Sequence, residues 1–259
     1  MPVPYRLSAA STDRGAPGMI EWQDEAILLS ARRHGENALV LSVLTEHHGR
    51  HAGLVRGGQS RKLKGVLQPG NRLAVSWRAR LEEHLGTLTV EPVHGYSALL
   101  MQDSGRLLAM GSALSMVESA LPEREPHPGL FHSLDALMVA LDSANWAETY
   151  IRWEVGFLSE LGFGLDLSSC AATGDTEDLR YVSPKTGRAV SAQAGEAYHD
   201  KLLALPSFMT GLGNAGPDAL ASAMKTTGYF LNRHVFDVLG KPAPDMRARL
   251  LARFSAGKS

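Results

Sequence analysis

The sequence contains a glycine pattern, Gly211-x-Gly213-x-x-Gly216, that matches the fingerprint of dinucleotide-binding folds. In those folds the glycines follow a β-strand and deliver a phosphate to the N-terminus of a helix. Here the preceding segment 203–208 contains Pro206 and follows a helical stretch, so the pattern lacks the strand that the fingerprint requires. We interpret it as a connector between helices, and we expect no nucleotide or other cofactor.

Histidine and cysteine are the other residue types with the chemistry to bind a metal or attack a substrate. His47, His48 and His51 are close in sequence, but the local spacing supplies no carboxylate or cysteine to complete a set of four ligands. We interpret them as histidines of a turn and a strand. Cys170, the single cysteine, has no evident activating base beside it and excludes a disulfide within the chain. The sequence also lacks hydrolase, zinc-protease and phosphate-loop motifs, and therefore predicts no catalytic residue, no metal ligand and no enzyme.

The segment 57–70 is the strongest candidate for a binding surface. Its glycines allow close approach of the backbone to a ligand, and Arg61, Lys62 and Lys64 provide positive charge for phosphates. Trp77 and Tyr96 are candidates for stacking on bases, although Trp77 lies on an alternating strand, where packing in the core is the alternative. A flexible basic loop beside a barrel suits contact with a nucleic-acid backbone rather than readout of bases.

The charges are unevenly distributed along the chain, although the net charge is only −1. From 102 to 180 there are thirteen acidic residues against four Lys or Arg, and after Met224 seven Lys or Arg face two acids. The segment 47–81 has no acid and carries eight basic residues: Arg50, Arg56, Arg61, Lys62, Lys64, Arg72, Arg78 and Arg80. A polyanion responds to this local potential rather than to the sum, so the first unit is predicted to bind nucleic acid. The alternative is that these side chains only solvate strand faces.

Hydrophobic periodicity predicts an α+β protein in which strands come first and helices follow. Five short segments between 26 and 90 have strand character and are separated by glycine turns, which indicates a small closed barrel. After Asp103 the apolar period becomes helical, with helices ending near Pro122, Leu141 and Gly162 and a long helix over 217–239. Asn145 and Glu148 have capping-box spacing at the start of the third helix, and a hairpin is predicted around 184–187.

The N-terminal segment and the hydropathy of the sequence indicate the cellular compartment. Residues 1–18 are polar, contain three prolines and lack the apolar middle of a secretory signal, so they are predicted to be a disordered extension. No apolar run reaches the roughly 18 residues of a membrane span. Together with the single cysteine, this favours a cytoplasmic protein.

Several short motifs follow one another along the chain in an order typical of one protein family. They are Trp22-Gln23-x-x-Ala26, Gly35-Glu36-x-x-Leu39, Thr45-Glu46-x-x-Gly49-Arg50, Leu54-Val55-Arg56-Gly57-Gly58-x-Ser60-Arg61-Lys62-x-Lys64-Gly65-x-Leu67-Gln68-Pro69-Gly70, Arg152-x-Glu154-x-x-x-Leu158-x-x-Leu161-Gly162-Phe163, Cys170-x-x-x-Gly174 and Gly240-Lys241-Pro242-x-x-x-x-Arg247. In these motifs the sequence resembles the RecO family of bacterial recombination mediators over nearly everything after residue 18. The block 54–70 is the most specific of them.

The resemblance implies an OB-fold over 19–97 followed by a mostly helical domain over 98–259. It implies binding of single- and double-stranded DNA, annealing of complementary strands without a nucleotide, and partnership with RecR and the single-strand-binding protein SSB in loading RecA during gap repair near the nucleoid. The DNA-binding role then falls on Arg56, Arg61, Lys62 and Lys64, with Arg50 and Arg72 in the same basic stretch and Lys241 and Arg247 as weaker candidates.

One departure from the family concerns zinc. Many relatives carry two Cys-x-x-Cys pairs in the helical domain, whereas this chain has Cys170 and Thr173 at the first pair and Ser191 and Ala194 at the second. One thiolate cannot build a closed zinc site, so a zinc-free, finger-like loop is expected over 170–194. The alternative to DNA binding is a non-enzymatic scaffold whose basic loop binds an acidic protein. An enzyme is the third hypothesis.

Overall fold

The computed structural model describes residues 18–213 and 215–257, in which a β-barrel is followed by a helical part. The predicted extension 1–18 lies outside the described residues except for Gly18. The barrel strands are β1 (Ile20–His34), β2 (Ala38–Thr45), β3 (Arg50–Val55), β4 (Arg72–Ala79) and β5 (Thr87–His94). The longer helices of the second part are α3 (Ser104–Ala120), α4 (Pro128–Ala140), α5 (Trp146–Glu160), α7 (Pro217–Leu231) and α8 (Asp245–Ser255).

The five strands close into a barrel of order β1-β2-β3-β5-β4. All neighbours are antiparallel except β3 and β5, which meet in parallel at Leu54 and Thr87, and β4 closes the barrel on β1. Alternate residues of the strands fill the interior, among them Leu28, Val75 and Trp77. The predicted architecture, a five-stranded barrel of OB type followed by helices, is confirmed.

The helical part surrounds a second hydrophobic core that includes Phe131, Tyr150 and Phe157. The predicted hairpin is present as β6 (Leu179–Val182) and β7 (Ala189–Ser191), with the two-residue β8 (Leu203–Ala204) on the other side of β6. Short helices complete the chain: α1 (Arg61–Lys64), α2 (Tyr96–Leu100), α6 (Ala192–Gly195) and 3-10 turns at Glu196–Lys201 and Ser207–Thr210. Among the described residues, no helix combines the length and apolarity needed to cross a membrane.

Three local predictions differ from the structure. The predicted long loop contains α1, one turn of helix that begins after Ser60. The long C-terminal helix ends as an α-helix at Leu231 and continues as a π-helical turn over Asn232–Phe236. Asn145 is the N-cap of α5 but makes no capping hydrogen bond, and its Oδ1 accepts from the Ser143 hydroxyl at 2.8 Å. Glu148 does not complete the predicted capping box, because it accepts from the backbone N–H of Ala215 at 2.9 Å.

The barrel and the helices share apolar packing. Ile27, Leu29 and Leu44 alternate with the barrel's interior residues and belong to the core of the helical part. Polar contacts reinforce this interface: Asn71 Oδ1 accepts from the backbone N–H and the hydroxyl of Ser97, at 3.2 and 2.9 Å. The barrel is therefore held in a fixed position against the helices.

Candidate nucleic-acid interface

The segment that joins β3 to β4 holds its basic residues outward. Leu63 packs against the barrel core from α1, which leaves Arg61, Lys62 and Lys64 exposed on the remaining sides of the helical turn. The start of the segment is tied to the β1–β2 turn, because Gln59 Nε2 donates to the carbonyls of Gly35 and Ala38, each at 3.2 Å. The basic loop is therefore an anchored helical turn.

A groove opens where β3 and β4 end and β5 begins. Arg56 follows β3, and Arg78 and Arg80 flank Ala79, whose side chain points into the barrel. Arg78 of β4 and Arg80, one residue beyond its end, therefore both face outward. The remaining lining is Met19, Ala79, His84, Gly86 and Thr87.

The turn between β4 and β5 that forms one wall of the groove is held by Trp77. The indole Nε1 donates to the carbonyl of Leu85 at 3.0 Å. Gly86 has φ +65°, and a Cβ at this position would meet Trp77 Nε1 at 2.4 Å, so only glycine fits here. Glu82 and Glu83 are exposed at the tip of the same turn.

The basic residues differ in whether a carboxylate pairs with them. Within 18–213 and 215–257, no ion pair involves six of them: Arg56, Arg61, Lys62, Lys64, Arg78 and Arg80. All six are exposed. Arg56 lines the groove and directly precedes the segment that carries α1, so it connects the two sets along the chain; we call the six residues together the barrel-end surface. Unpaired exposed cations on one surface attract phosphates over several ångströms.

The structure gives Arg50 and Arg72 different roles from those that the sequence predicted. Arg50 Nε donates to the carbonyl of Leu121 at 3.0 Å and its Nη1 pairs with Glu123 at 3.2 Å. Arg72 is clamped between Glu25 and Asp135, with the Asp135 contact at 2.6 Å. Both guanidinium groups hold the barrel to neighbouring elements and are paired with carboxylates, unlike the free cations that the sequence predicted.

Arg247, predicted as a weaker candidate for DNA binding, is instead buried in the helical part. Only 6% of it is exposed, and its guanidinium forms two hydrogen bonds of 2.8 Å with Glu154 and another with the carbonyl of Met224. It therefore links α8 to α5 and α7 inside the helical core. Lys241 is exposed, but it lies in the connection between the π-helical turn and α8, in the helical part.

Neither aromatic candidate is available for stacking on bases. Trp77 is fully buried inside the barrel and therefore packs in the core, which was the alternative to base stacking. Tyr96 is 5% exposed and its hydroxyl donates to Asp135 at 3.0 Å. Burial and the neighbouring Asp135 carboxylate raise the pKa of Tyr96 to about 12.

The three histidines lie at the other end of β2, and two of them contact Asp24 of β1. His47 and His48 each place Nδ1 3.0 Å from the Asp24 carboxylate. Although burial acts in the opposite direction, hydrogen bonds from His48 and His47 lower the pKa of Asp24. His51 is buried against Trp22 and Trp77, and burial together with the positive charge of Arg124 lowers its pKa to about 4.

Hydrogen bonds hold the finger-like loop over 170–194 together. Cys170 is buried, and its Sγ accepts from the backbone N–H of Ser191 at 3.3 Å. Ser191 in turn caps α6, since its hydroxyl accepts from the N–H of Ala194. Although burial opposes it, hydrogen bonds from Ser191 and Thr173 lower the pKa of Cys170 to about 6. A single sulfur and a hydroxyl already used as a helix cap do not fit a structural zinc ion.

Sequence reasoning missed the groove, although a signal was present. Arg78 and Arg80 lie two residues apart at the end of an alternating strand, which places both on the outer face. Their proximity to Arg56 depends on the parallel contact between β3 and β5, and no local pattern encodes that contact.

Two family models match this chain, one over the barrel and one over the helical part. Residues 19–96 match the model described as Recombination protein O N terminal, and residues 101–242 match Recombination protein O C terminal. A protein from Rhodospirillum centenum named DNA repair protein RecO is 53% identical over 237 residues, 91% of this chain and 95% of the relative. Relatives of the same name from Cereibacter sphaeroides and Mesorhizobium japonicum are each 49% identical, covering 90% of this chain and 98% and 93% of their own lengths.

Proposed function

Since this chain belongs to the RecO family, we propose that it is a DNA repair protein that binds DNA through the barrel-end surface. The observation that carries the proposal is the separation of the basic residues into two classes. Arg50, Arg72 and Arg247 are neutralised by carboxylates, whereas the six cations of the barrel-end surface have no such partner within the described part of the chain.

Binding at this surface is to the phosphate backbone. Lys and Arg side chains on a helical turn and along a groove neutralise phosphates, release counterions and read no sequence directly. The two aromatic candidates are buried, so base stacking contributes little at Trp77 or Tyr96. We therefore expect binding of single- and double-stranded DNA with weak sequence preference and strong dependence on salt.

The biological activity that we propose follows from the family. The protein anneals complementary strands, works with RecR, and assists the loading of RecA onto SSB-coated single strands in gap repair. It acts in the cytoplasm, at the nucleoid, and needs no nucleotide and no catalytic residue. Residues 19–97 serve as the DNA-binding domain, while the acidic helical domain over 98–259 provides contacts to protein partners.

The experiment uses the full chain, because Ile27, Leu29 and Leu44 would be uncovered in an isolated barrel. Fluorescence anisotropy follows binding of a labelled single-stranded oligonucleotide, with unlabelled DNA and polyglutamate as competitors. The proposal predicts displacement by DNA at much lower concentration than by polyglutamate, and annealing in the absence of ATP. Equal displacement by polyglutamate, or no binding of DNA at low salt, would favour the alternative of an acidic protein partner.

A further inference from the structure

A cluster of carboxylates and imidazoles lies away from the barrel-end surface, where the turn between β2 and β3 folds back onto β1. Its centre is Asp24, whose side chain is only 3% exposed. One carboxylate oxygen, Oδ2, accepts from the backbone N–H of His47 at 2.8 Å and lies 3.0 Å from Nδ1 of His48. The other, Oδ1, lies 3.0 Å from Nδ1 of His47. The carboxylate is thus fixed in orientation, with each oxygen directed at an imidazole.

Glu46 adds a third donor at the same place. Its Oε1 lies 4.0 Å from Nε2 of His47, and one donor atom from each of Asp24, Glu46 and His47 lies within 4.8 Å of the other two. Two ligands of one tetrahedral zinc ion are separated by about 3.4 Å, given metal–ligand distances of about 2.0–2.1 Å. Closing the cluster to this spacing needs a shift of about 1.4 Å or less, set by the same ligand distances. Glu46 and His47 lie on a turn, where such a shift is readily made.

A fourth donor comes from the helical part. His132 of α4 places Nε2 3.1 Å from the same Glu46 Oε1, and 63% of its side chain is exposed. This contact crosses from the barrel to the helices, so a ligand held by Glu46 and His132 would connect them. The spacing of His47, His48 and His51 in the sequence gave no sign of this arrangement, because Asp24 and His132 are far away along the chain.

We propose that Asp24, Glu46 and His47 form a binding site for a divalent transition-metal ion, with His132 as the fourth ligand. Imidazole with carboxylate oxygen is a donor set that suits Zn²⁺, whereas Mg²⁺ is held by oxygen and water ligands. His48 supports the site through its contact with the second oxygen of Asp24, as outer hydrogen bonds do for ligands of bound metals. The site is separate from Cys170, and it revises the sequence interpretation of these histidines as residues of a turn.

The bound ion would tie the β2–β3 turn to α4 and so strengthen the junction between barrel and helices. An ion that binds the folded state and not the unfolded state raises the melting temperature in proportion to the logarithm of its concentration. Zinc is therefore expected to stabilise the protein through this site without being required for folding.

The test is calorimetric titration of Zn²⁺ into the full-length, chelator-treated protein, with thermal unfolding measured in parallel. We expect one saturable site and a rise in melting temperature. His47→Gln and Glu46→Gln should each weaken the affinity by at least about tenfold, since even loss of an outer-shell partner costs about 10–100-fold. His132→Gln should weaken it and reduce the thermal shift.

Two control variants separate this site from other zinc binding. His199 is an exposed histidine whose Nε2 lies 2.9 Å from Asp200, with no role in the cluster, so His199→Gln should bind zinc like the wild type. Cys170→Ser should also keep the affinity. The proposal is overturned if the wild type shows no saturable site, if Cys170→Ser removes the binding, or if folded Glu46→Gln and His47→Gln variants bind like the wild type.

Discussion

Replacing Arg56, Arg78 and Arg80 together by alanine removes the three cations of the groove and leaves the barrel interior unchanged. All three side chains are exposed, so each replacement should change the free energy of unfolding by no more than about 0.5 kcal/mol. If each arginine neutralises one phosphate, the slope of log affinity against log salt should fall by about 2 on single-stranded DNA and about 3 on duplex. Over a fourfold rise in salt, the wild type should then lose about 20-fold to 40-fold more affinity than the variant.

The assay is anisotropy with a labelled oligonucleotide over a series of salt concentrations, with unfolding measured on the same protein. The matched control replaces Lys185, Lys201 and Lys225 by alanine, three exposed lysines of the helical part, so that the net charge changes by the same amount. The control should keep the wild-type slope. A wild-type slope in the folded groove variant, or an equal fall in the control, would refute the assignment of phosphates to this groove.

Four further outcomes are expected. Replacing Arg61, Lys62 and Lys64 by alanine should lower the same slope of log affinity against log salt by about 2 to 3 units and slow strand annealing in parallel. An unchanged annealing rate would show that the α1 cations do not contribute to DNA binding. Arg247→Met should lower the free energy of unfolding by about 3–5 kcal/mol in denaturant titrations, because Glu154 is left buried and unpaired, but should leave the salt slope unchanged. The pKa of His51 is about 4 in the folded state against about 6.5 when unfolded, so the unfolded chain gains its proton first as pH falls. The free energy of unfolding should therefore drop by about 2 kcal/mol between pH 7 and pH 5, and His51→Leu should remove that part of the drop; an identical pH dependence in the variant would contradict the assignment. Circular dichroism in excess chelator should show an intact fold, since the Cys170 loop is held by hydrogen bonds, and unfolding on chelation would show that zinc is structural.

The parts of the fold that follow from local pattern were predictable from the sequence. The alternation around Trp77 and the glycine turns gave the strands, and the apolar period after Asp103 gave α3, α4 and α5 close to their observed bounds. The single turn of α1 was not predictable, because four residues carry too little periodicity and its position depends on Leu63 reaching the barrel core.

The site was only partly predictable for a different reason. Sequence showed which residues are basic, but whether a cation is free depends on carboxylates that are distant in the chain. Arg247 meets Glu154 across 93 positions and Arg72 meets Asp135 across 63, so both appeared available until the fold was known. The same long-range pairing conceals Asp24 beside His47 and His48.

The most direct test of the barrel-end surface is to locate bound DNA on the protein. A single-stranded oligonucleotide carrying bromodeoxyuridine is bound to the full chain at low salt, cross-linked by light, and the modified peptides are identified by mass spectrometry. We predict cross-links in the peptides around Arg56, Arg61–Lys64 and Arg78–Arg80, and their loss when the groove and α1 cations are replaced. Cross-links confined to the helical part, for example around Lys241, would contradict the account.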